Sequence, residues 1–305
     1  MKTRFLSVGE CMVELLDEGG GDYRQGFAGD TFNTAWYARR LLPPDWRVGF
    51  ASAVGEDPLS DRMVRFMAAE GVETGAVRRL AGRTVGLYMV ALDAGERRFA
   101  YWRGESAARR LAEDRDWLAR VLAGCGVIYF SGITLAILPP GARSTLCKAI
   151  GTARADGALV AFDTNLRPAL WPDAAAMREG AEMGAAVADL VLPSFDEEQA
   201  AFGDAMPEDT LDRYRALGAR IVAVKNGADP LLLWDGAVLR KIGAERAGRV
   251  VDTTAAGDSF AAGMLAAMVQ GATPEAAAQA GMALAARVIQ GRGALVRAAI
   301  EGGRT

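Results

Sequence analysis

Histidine is absent from all 305 residues. That removes Ser-His-Asp and Cys-His nucleophilic catalysis, and every zinc site that relies on imidazole. Cysteine is scarce. Cys11, Cys125 and Cys147 stand alone, none in CxxC spacing and each within an apolar stretch. They read as small buried thiols of a reducing compartment, not as disulfides or nucleophiles. Lysine occurs four times (Lys2, Lys148, Lys225, Lys241), never in a GxxxxGK context, and no GxGxxG follows the first strand-like segment. Both common nucleotide fingerprints are therefore missing. No apolar run is long enough to span a membrane. Residues 1–9 pass straight into a strand pattern with no secretory core, which points to a cytoplasmic protein. Positive charge is not in excess either: 35 Lys and Arg face 38 Asp and Glu, for a formal net charge of −3 and a pI near 5.3. Nucleic acid is a poor partner for such a chain. Any anionic ligand must be held by a local cluster of donors.

What is present is an ordinary globular composition, 51% hydrophobic and 24% charged, on a chain long enough for one large α/β domain or two modest ones. Strand-like and helix-like segments alternate. Residues 48–54 read as a strand, and Asp57-Pro58 opens a helix running to Gly71, with Asp as N-cap and Pro in the first turn. Residues 127–131 are strand-like and precede a helix from Pro139 to about Asp156. Strands at 158–163, 189–193 and 220–225 continue the series, with a helix after Pro172. This order predicts a mainly parallel sheet covered on both faces. Two stretches break it. Residues 85–92 and 98–102 flank the turn Asp93-Ala94-Gly95-Glu96 as a hairpin, and residues 11–16 lead to the turn Gly19-Gly20-Gly21. Together they suggest a small antiparallel layer, a lid over a cleft, formed by about 11–28 and 85–104. A second hairpin, with Asp235-Gly236 at its turn, spans 231–239.

The chemistry is concentrated in Asp252-Thr253-Thr254-Ala255-Ala256-Gly257-Asp258-Ser259-Phe260-Ala261-Ala262-Gly263. A strand-like 249–251 enters it and a helix-forming run leaves it. Small residues at 255–257 allow close backbone approach to a ligand, and a helix N-terminus favours phosphate. Asp258 at the mouth of a phosphate site makes sense as a base accepting a hydroxyl proton, or more simply as a cap.

This stretch resembles the second signature of the ribokinase-like (PfkB) sugar kinases, with Ala255 where many members carry glycine. Gly29-Asp30-Thr31-Phe32-Asn33-Thr34-Ala35 resembles the first. Further segments are similar to 2-keto-3-deoxygluconate kinases: Gly9-Glu10-Cys11-Met12-Val13-Glu14-Leu15, Tyr101-Trp102-Arg103, Ser131-Gly132-Ile133-Thr134-Leu135-Ala136, and Asp163-Thr164-Asn165-Leu166-Arg167-Pro168 with Trp171. The resemblance spans nearly the whole chain. It implies a single domain over 1–305, a three-layer α/β/α sandwich with a β-lid.

By the same resemblance Asp258 is the catalytic base, and Ala255, Ala256 and Gly257 form the anion hole. Gly29, Asp30 and Asn33 hold sugar hydroxyls. Tyr88 and Tyr101 face the sugar, and Arg103 and Arg167 bind its acidic end. Asn165, Arg167, Ser194, Lys225, Gly227 and the 255–257 backbone contact ATP. Glu197 acts indirectly on Mg²⁺, with Ser194 replacing the family's usual asparagine. A homo-oligomer joined through the lid is also implied. Other readings of the residues remain. Tyr88 and Tyr101 serve equally as cross-strand pairs, Arg103 as a solvated edge charge, and Asp163 as a loop brace. The alternatives for the whole chain are a kinase of a neutral sugar such as fructose or ribose, and a non-catalytic sugar sensor on the same fold.

Overall fold

In a computed structural model of the protein, residues 2–93, 96–243 and 247–301 are described. The apolar runs form a nine-stranded sheet. Its order is Leu239–Ile242, Leu231–Trp234, Ile221–Val224, Leu190–Val191, Leu159–Asp163, Val127–Ser131, Arg4–Val8, Arg47–Val54 and Val77–Arg79. All neighbours are parallel except along the 231–242 hairpin, which adds two antiparallel strands at one edge. Val127–Ser131 and most of Leu159–Asp163 are buried residue by residue, as strands covered on both faces must be.

Alternate side chains of these strands feed two cores. Phe5, Val127 and Tyr129 join Phe32, Trp36, Phe50 and Phe260 on one face. Leu6, Ile128 and Phe130 join Leu118, Phe162 and Tyr214 on the other. The covering helices begin where local chemistry starts them. Asp57 accepts from the N–H groups of Leu59 and Ser60 ahead of Pro58–Ala69, and Asp173 accepts from Ala176 ahead of Ala174–Ala186.

The smaller sheet has the order Asp22–Ala28, Met12–Gly19, Leu87–Asp93, Glu96–Trp102. Its outer pairs are antiparallel, but its central pair, Met12–Gly19 with Leu87–Asp93, is parallel. This corrects the expectation of a wholly antiparallel layer. Two hairpins are laid side by side, and strands that begin at the same junction run in the same direction. Residues 94–95 of the anticipated turn lie outside the described residues. A second correction concerns 249–251, which is not a strand. Val250 and Val251 are exposed, and the N–H groups of Val251 and Asp252 both donate to the Ile289 carbonyl, at the end of the helix Pro274–Val288.

Candidate active site

The helix Ala256–Val269 begins directly after Ala255, whose φ of 60° and ψ of 18° are left-handed. A glycine would adopt this without cost, whereas alanine carries about 1–2 kcal/mol of strain. Alanine in place of the common glycine is therefore not sterically neutral. Of the N–H groups near the helix start, that of Ala256 is committed to the Thr253 carbonyl at 3.2 Å. Those of Gly257 and Asp258, in the first turn, have no acceptor within the helix.

Asp258 is not the cap. It lies in the helix's first turn, where its Oδ2 accepts from Asn33 Nδ2 at 2.8 Å. Thr34 Oγ1 donates to the Asp258 carbonyl at 3.2 Å. Asn33 and Thr34 belong to the helix Asp30–Leu41, so the two signatures meet at the carboxylate. Burial, the charge of Asp30 and the charge of Asp163 push Asp258 up to about 8, against the hydrogen bond from Asn33 and the charge of Lys225. A carboxyl raised in this way can exchange a proton near neutral pH.

Asp30 collects a second set of partners. Its Oδ2 accepts from Ser131 Oγ at 2.5 Å and from Asn165 Nδ2 at 2.9 Å. Burial raises its carboxyl against these bonds and the charge of Arg103. Asn165, anticipated as a nucleotide contact, thus turns its amide toward Asp30, anticipated as a sugar contact, from a left-handed backbone at φ 33°. Gly29 caps the Asp30–Leu41 helix, its N–H donating to Asn33 Oδ1 at 3.3 Å.

The remaining residues anticipated as sugar contacts differ in exposure. Tyr88 is buried, and its hydroxyl donates to Glu14, across the strand pair. Tyr101 stands opposite Tyr88, ring centroids 6.0 Å apart, but is 54% exposed. Arg103 is not a solvated edge charge. It is buried and ion-paired with Glu10, whose other oxygen accepts from Ser106.

On the far side of Gly257, Lys225 Nζ donates to Asp163 at 3.0 and 2.8 Å. A Cβ built on Gly257 would come within 3.4 Å of that ammonium and 3.9 Å of Asp163 Oδ2. Asp163 also accepts from the Asn165 N–H, so it braces the loop and holds the lysine at once. Lys225 bridges to Ser194, and Gly227 follows it at φ 58°. Ser194 precedes the helix Phe195–Phe202 without capping it through its side chain. Glu197 accepts from the Leu166 N–H at 2.8 Å and from the Arg167 guanidinium, which is half exposed.

Sequence reasoning named the acids, the lysine and Asn33 individually. It did not assign roles to Glu10, Glu14 and Ser131, which hold Arg103, Tyr88 and Asp30. Their signal was modest: Glu10 and Glu14 are acids among apolar neighbours, and Ser131 closes an apolar strand. Among the described residues no group of three acidic or sulfur side chains could cage a metal. Asp163 and Glu197 are already engaged, and this donor set suits an ion that arrives on a nucleotide's phosphates and keeps its waters.

The chain is 40% identical to a 2-dehydro-3-deoxygluconokinase of Dickeya dadantii over 304 residues, covering 97% of this chain and 98% of that protein. It is 39% identical to a protein of the same name from Escherichia coli K12, over 97% and 98% of the two chains. The crystal structure of a PfkB protein from Polaromonas superposes with a TM-score of 0.81 at 30% identity, covering 95% and 96% of the chains. The family model for pfkB family carbohydrate kinases matches residues 2–298. This protein belongs to the pfkB family of carbohydrate kinases.

Proposed function

We propose that the protein transfers the γ-phosphoryl group of MgATP to the terminal hydroxyl of 2-keto-3-deoxygluconate, with Asp258 as base. The observation that carries this reading is the carboxylate of Asp258. It lies at a helix N-terminus, tied to Asn33 of the other signature and raised to about 8. Once ionised, Asp258 takes the hydroxyl proton as the oxygen attacks phosphorus. The N–H groups of Gly257 and Asp258 face the growing phosphoryl charge. Lys225 is held by Asp163 beside Gly257, where it meets the nucleotide's phosphates together with Ser194 and Gly227. Asp30 and Gly29 orient sugar hydroxyls. The small sheet, residues 12–28 and 87–102, serves as a lid that brings Tyr88 and Tyr101 over the sugar and keeps water from competing as acceptor. Magnesium would supply charge neutralisation on the phosphates, and Glu197 is the residue that would help to hold it.

The acid-sugar assignment rests on the relatives' names and on Arg103 and Arg167, whose planar forks suit a carboxylate. One observation favours the second reading, a neutral sugar: both guanidiniums already face a glutamate, Glu10 and Glu197. Coupled ADP release over a panel of sugar acids and neutral sugars decides between them. Arg103→Ala is expected to weaken the acid sugar by about 1.5–3 kcal/mol, the worth of hydrogen bonds to a charged group, and fructose far less. Lys at this position recovers part of the loss. Preference of the wild type for a neutral sugar, with equal losses for both classes in Arg103→Ala, overturns the acid assignment.

The strand Glu96–Trp102 is an edge of the small sheet, and Phe99, Tyr101 and Trp102 on it are 49%, 54% and 58% exposed. An aromatic-bearing edge recruits a second strand or surface. This exposed edge supports the proposal of a homo-oligomer through the lid, and light scattering at micromolar concentration should show a dimer or a multiple of it. Monomer alone counts against it.

A further inference from the structure

The small sheet joins the large one through four chain crossings, and a glycine stands at each: Gly9, Gly29, Gly86 and Gly104. Three of them leave no room for a side chain. A Cβ on Gly29 would lie 2.2 Å from the Glu10 carbonyl oxygen, and one on Gly9 would lie 2.3 Å from Thr31 Oγ1. One on Gly86 would lie 2.9 Å from the Glu10 carboxylate and 3.2 Å from Arg103 Cβ. Two of the three, Gly29 and Gly86, are tight against Glu10 itself.

Glu10 is 2% exposed. Its carboxylate takes Arg103 on one oxygen and Ser106 on the other. Arg103 is the first residue beyond the strand Glu96–Trp102, and Ser106 precedes the short helical turn Ala107–Arg110. The point where the small sheet returns to the body is thus gripped on both sides. The guanidinium is fixed through Nη2, while its buried Nε has no partner among the described residues. An unpaired donor on a pinned, buried cation is costly unless something comes to meet it. The charge of Arg103 also reaches Asp30, on the sugar side of the cleft.

We propose that Glu10 is a positioning residue for recognition of the sugar's acidic end. It anchors Arg103 at the pivot between the two sheets and leaves the remaining donors of the guanidinium for the ligand. Glu10 itself touches no substrate. The inference rests on the assignment of Arg103 to the acidic end made above. Its physical content is that the location of the guanidinium, not the charge of Glu10, sets affinity.

Two conservative variants separate location from charge. Glu10→Asp keeps the ion pair but is one methylene shorter, so it draws Arg103 away from its place. Glu10→Gln loses the charge but keeps an acceptor at full reach. Glu10→Asp is expected to raise KM for 2-keto-3-deoxygluconate by about tenfold or more, the order that follows from a small misplacement of a binding group, with kcat within about threefold. Glu10→Gln is expected to stay within about threefold of wild type in KM. On an Arg103→Ala background, Glu10→Asp should have no further effect on KM, because the positioned group is gone. Thermal melts check that each variant is folded, and Ser106→Ala, which frees the other carboxylate oxygen, gives a smaller KM rise of the same kind should Glu10→Asp fail to fold. The reverse order, Gln harmful and Asp neutral, overturns the proposal, as does additivity in the double variant. A wild type that refuses sugar acids overturns the substrate reading instead. A wild type that takes the acid while Glu10→Asp matches it in KM overturns the positioning role alone.

Discussion

Asp258→Asn is expected to lower kcat by about two to four orders of magnitude while MgATP and sugar bind nearly as in wild type. Asparagine preserves the shape of the side chain and can still pair with Asn33 through its amide oxygen, so the helix start is kept and only basicity is lost. Single-turnover kinetics with equilibrium binding of each substrate checks both halves. Turnover near the wild-type rate would falsify the base assignment. The pH dependence carries the same information. Asp258 sits at about 8 in the ligand-free site because burial and the charges of Asp30 and Asp163 outweigh Asn33 and Lys225. The base works only when ionised, so kcat/KM should climb with pH through that region and level off above it. The Asn variant should lack this acid limb. Stability follows the opposite course. The folded-state value lies above that of an unfolded aspartate, so the contribution of this group is fully present below about pH 4 and is lost as pH rises through about 8.

Much of this arrangement was legible because it is local. The run from Asp252 to Gly263 carries its small residues, its acid and its helix start within twelve positions, and the alternation of buried strands with capped helices needs no knowledge of pairing. What was not legible depends on long-range contacts. Asn33 reaches Asp258 across 225 positions, and Arg103 reaches Glu10 across 93. Nothing in the periodicity of residues 98–103 distinguishes a buried ion pair from a solvated edge charge, since both end an aromatic strand with an arginine. The parallel centre of the small sheet was hidden for the same reason, because a hairpin pattern specifies the pair inside it and not its neighbour. Residues 249–251 show the converse. Their β-branched composition is that of a strand, but the chain runs beside the end of a helix, and Val251 and Asp252 share the Ile289 carbonyl instead of a strand's ladder.

Arg213→Ala is expected to destabilise the protein by about 3–5 kcal/mol, the cost of removing one partner from a buried ion pair. Arg213 donates to Asp204 at 2.5 and 2.6 Å and to Glu198 at 3.0 Å, and its partners' side chains are 6% and 0% exposed. Glu198 also accepts from Tyr214 at 3.0 and 2.9 Å. Without the guanidinium two buried carboxylates would lie close together with hydroxyl donors but no counter-charge. The damage should spread toward the cleft, because Glu198 follows Glu197 on the helix Phe195–Phe202, and Glu197 holds Arg167 and the Leu166 N–H. KM for MgATP should therefore rise even at temperatures where the variant is folded. The pH response gives an independent reading. Burial pushes Glu198 up to about 7 in the wild type, against its bonds to Tyr214 and Arg213. Loss of Arg213 removes an influence that lowers it, so the carboxyl should move higher still. A raised folded-state value means that stability is present below the unfolded glutamate's value, about 4.3, and is lost as pH climbs through the folded one. Denaturant melts between pH 5 and 8 should show Arg213→Ala losing the most, relative to wild type, at the alkaline end, where both acids are forced to ionise. A variant that melts within about 1 kcal/mol of wild type at pH 8 would mean that solvent reaches Glu198 and Asp204 and that the cluster is not the buried brace its geometry describes.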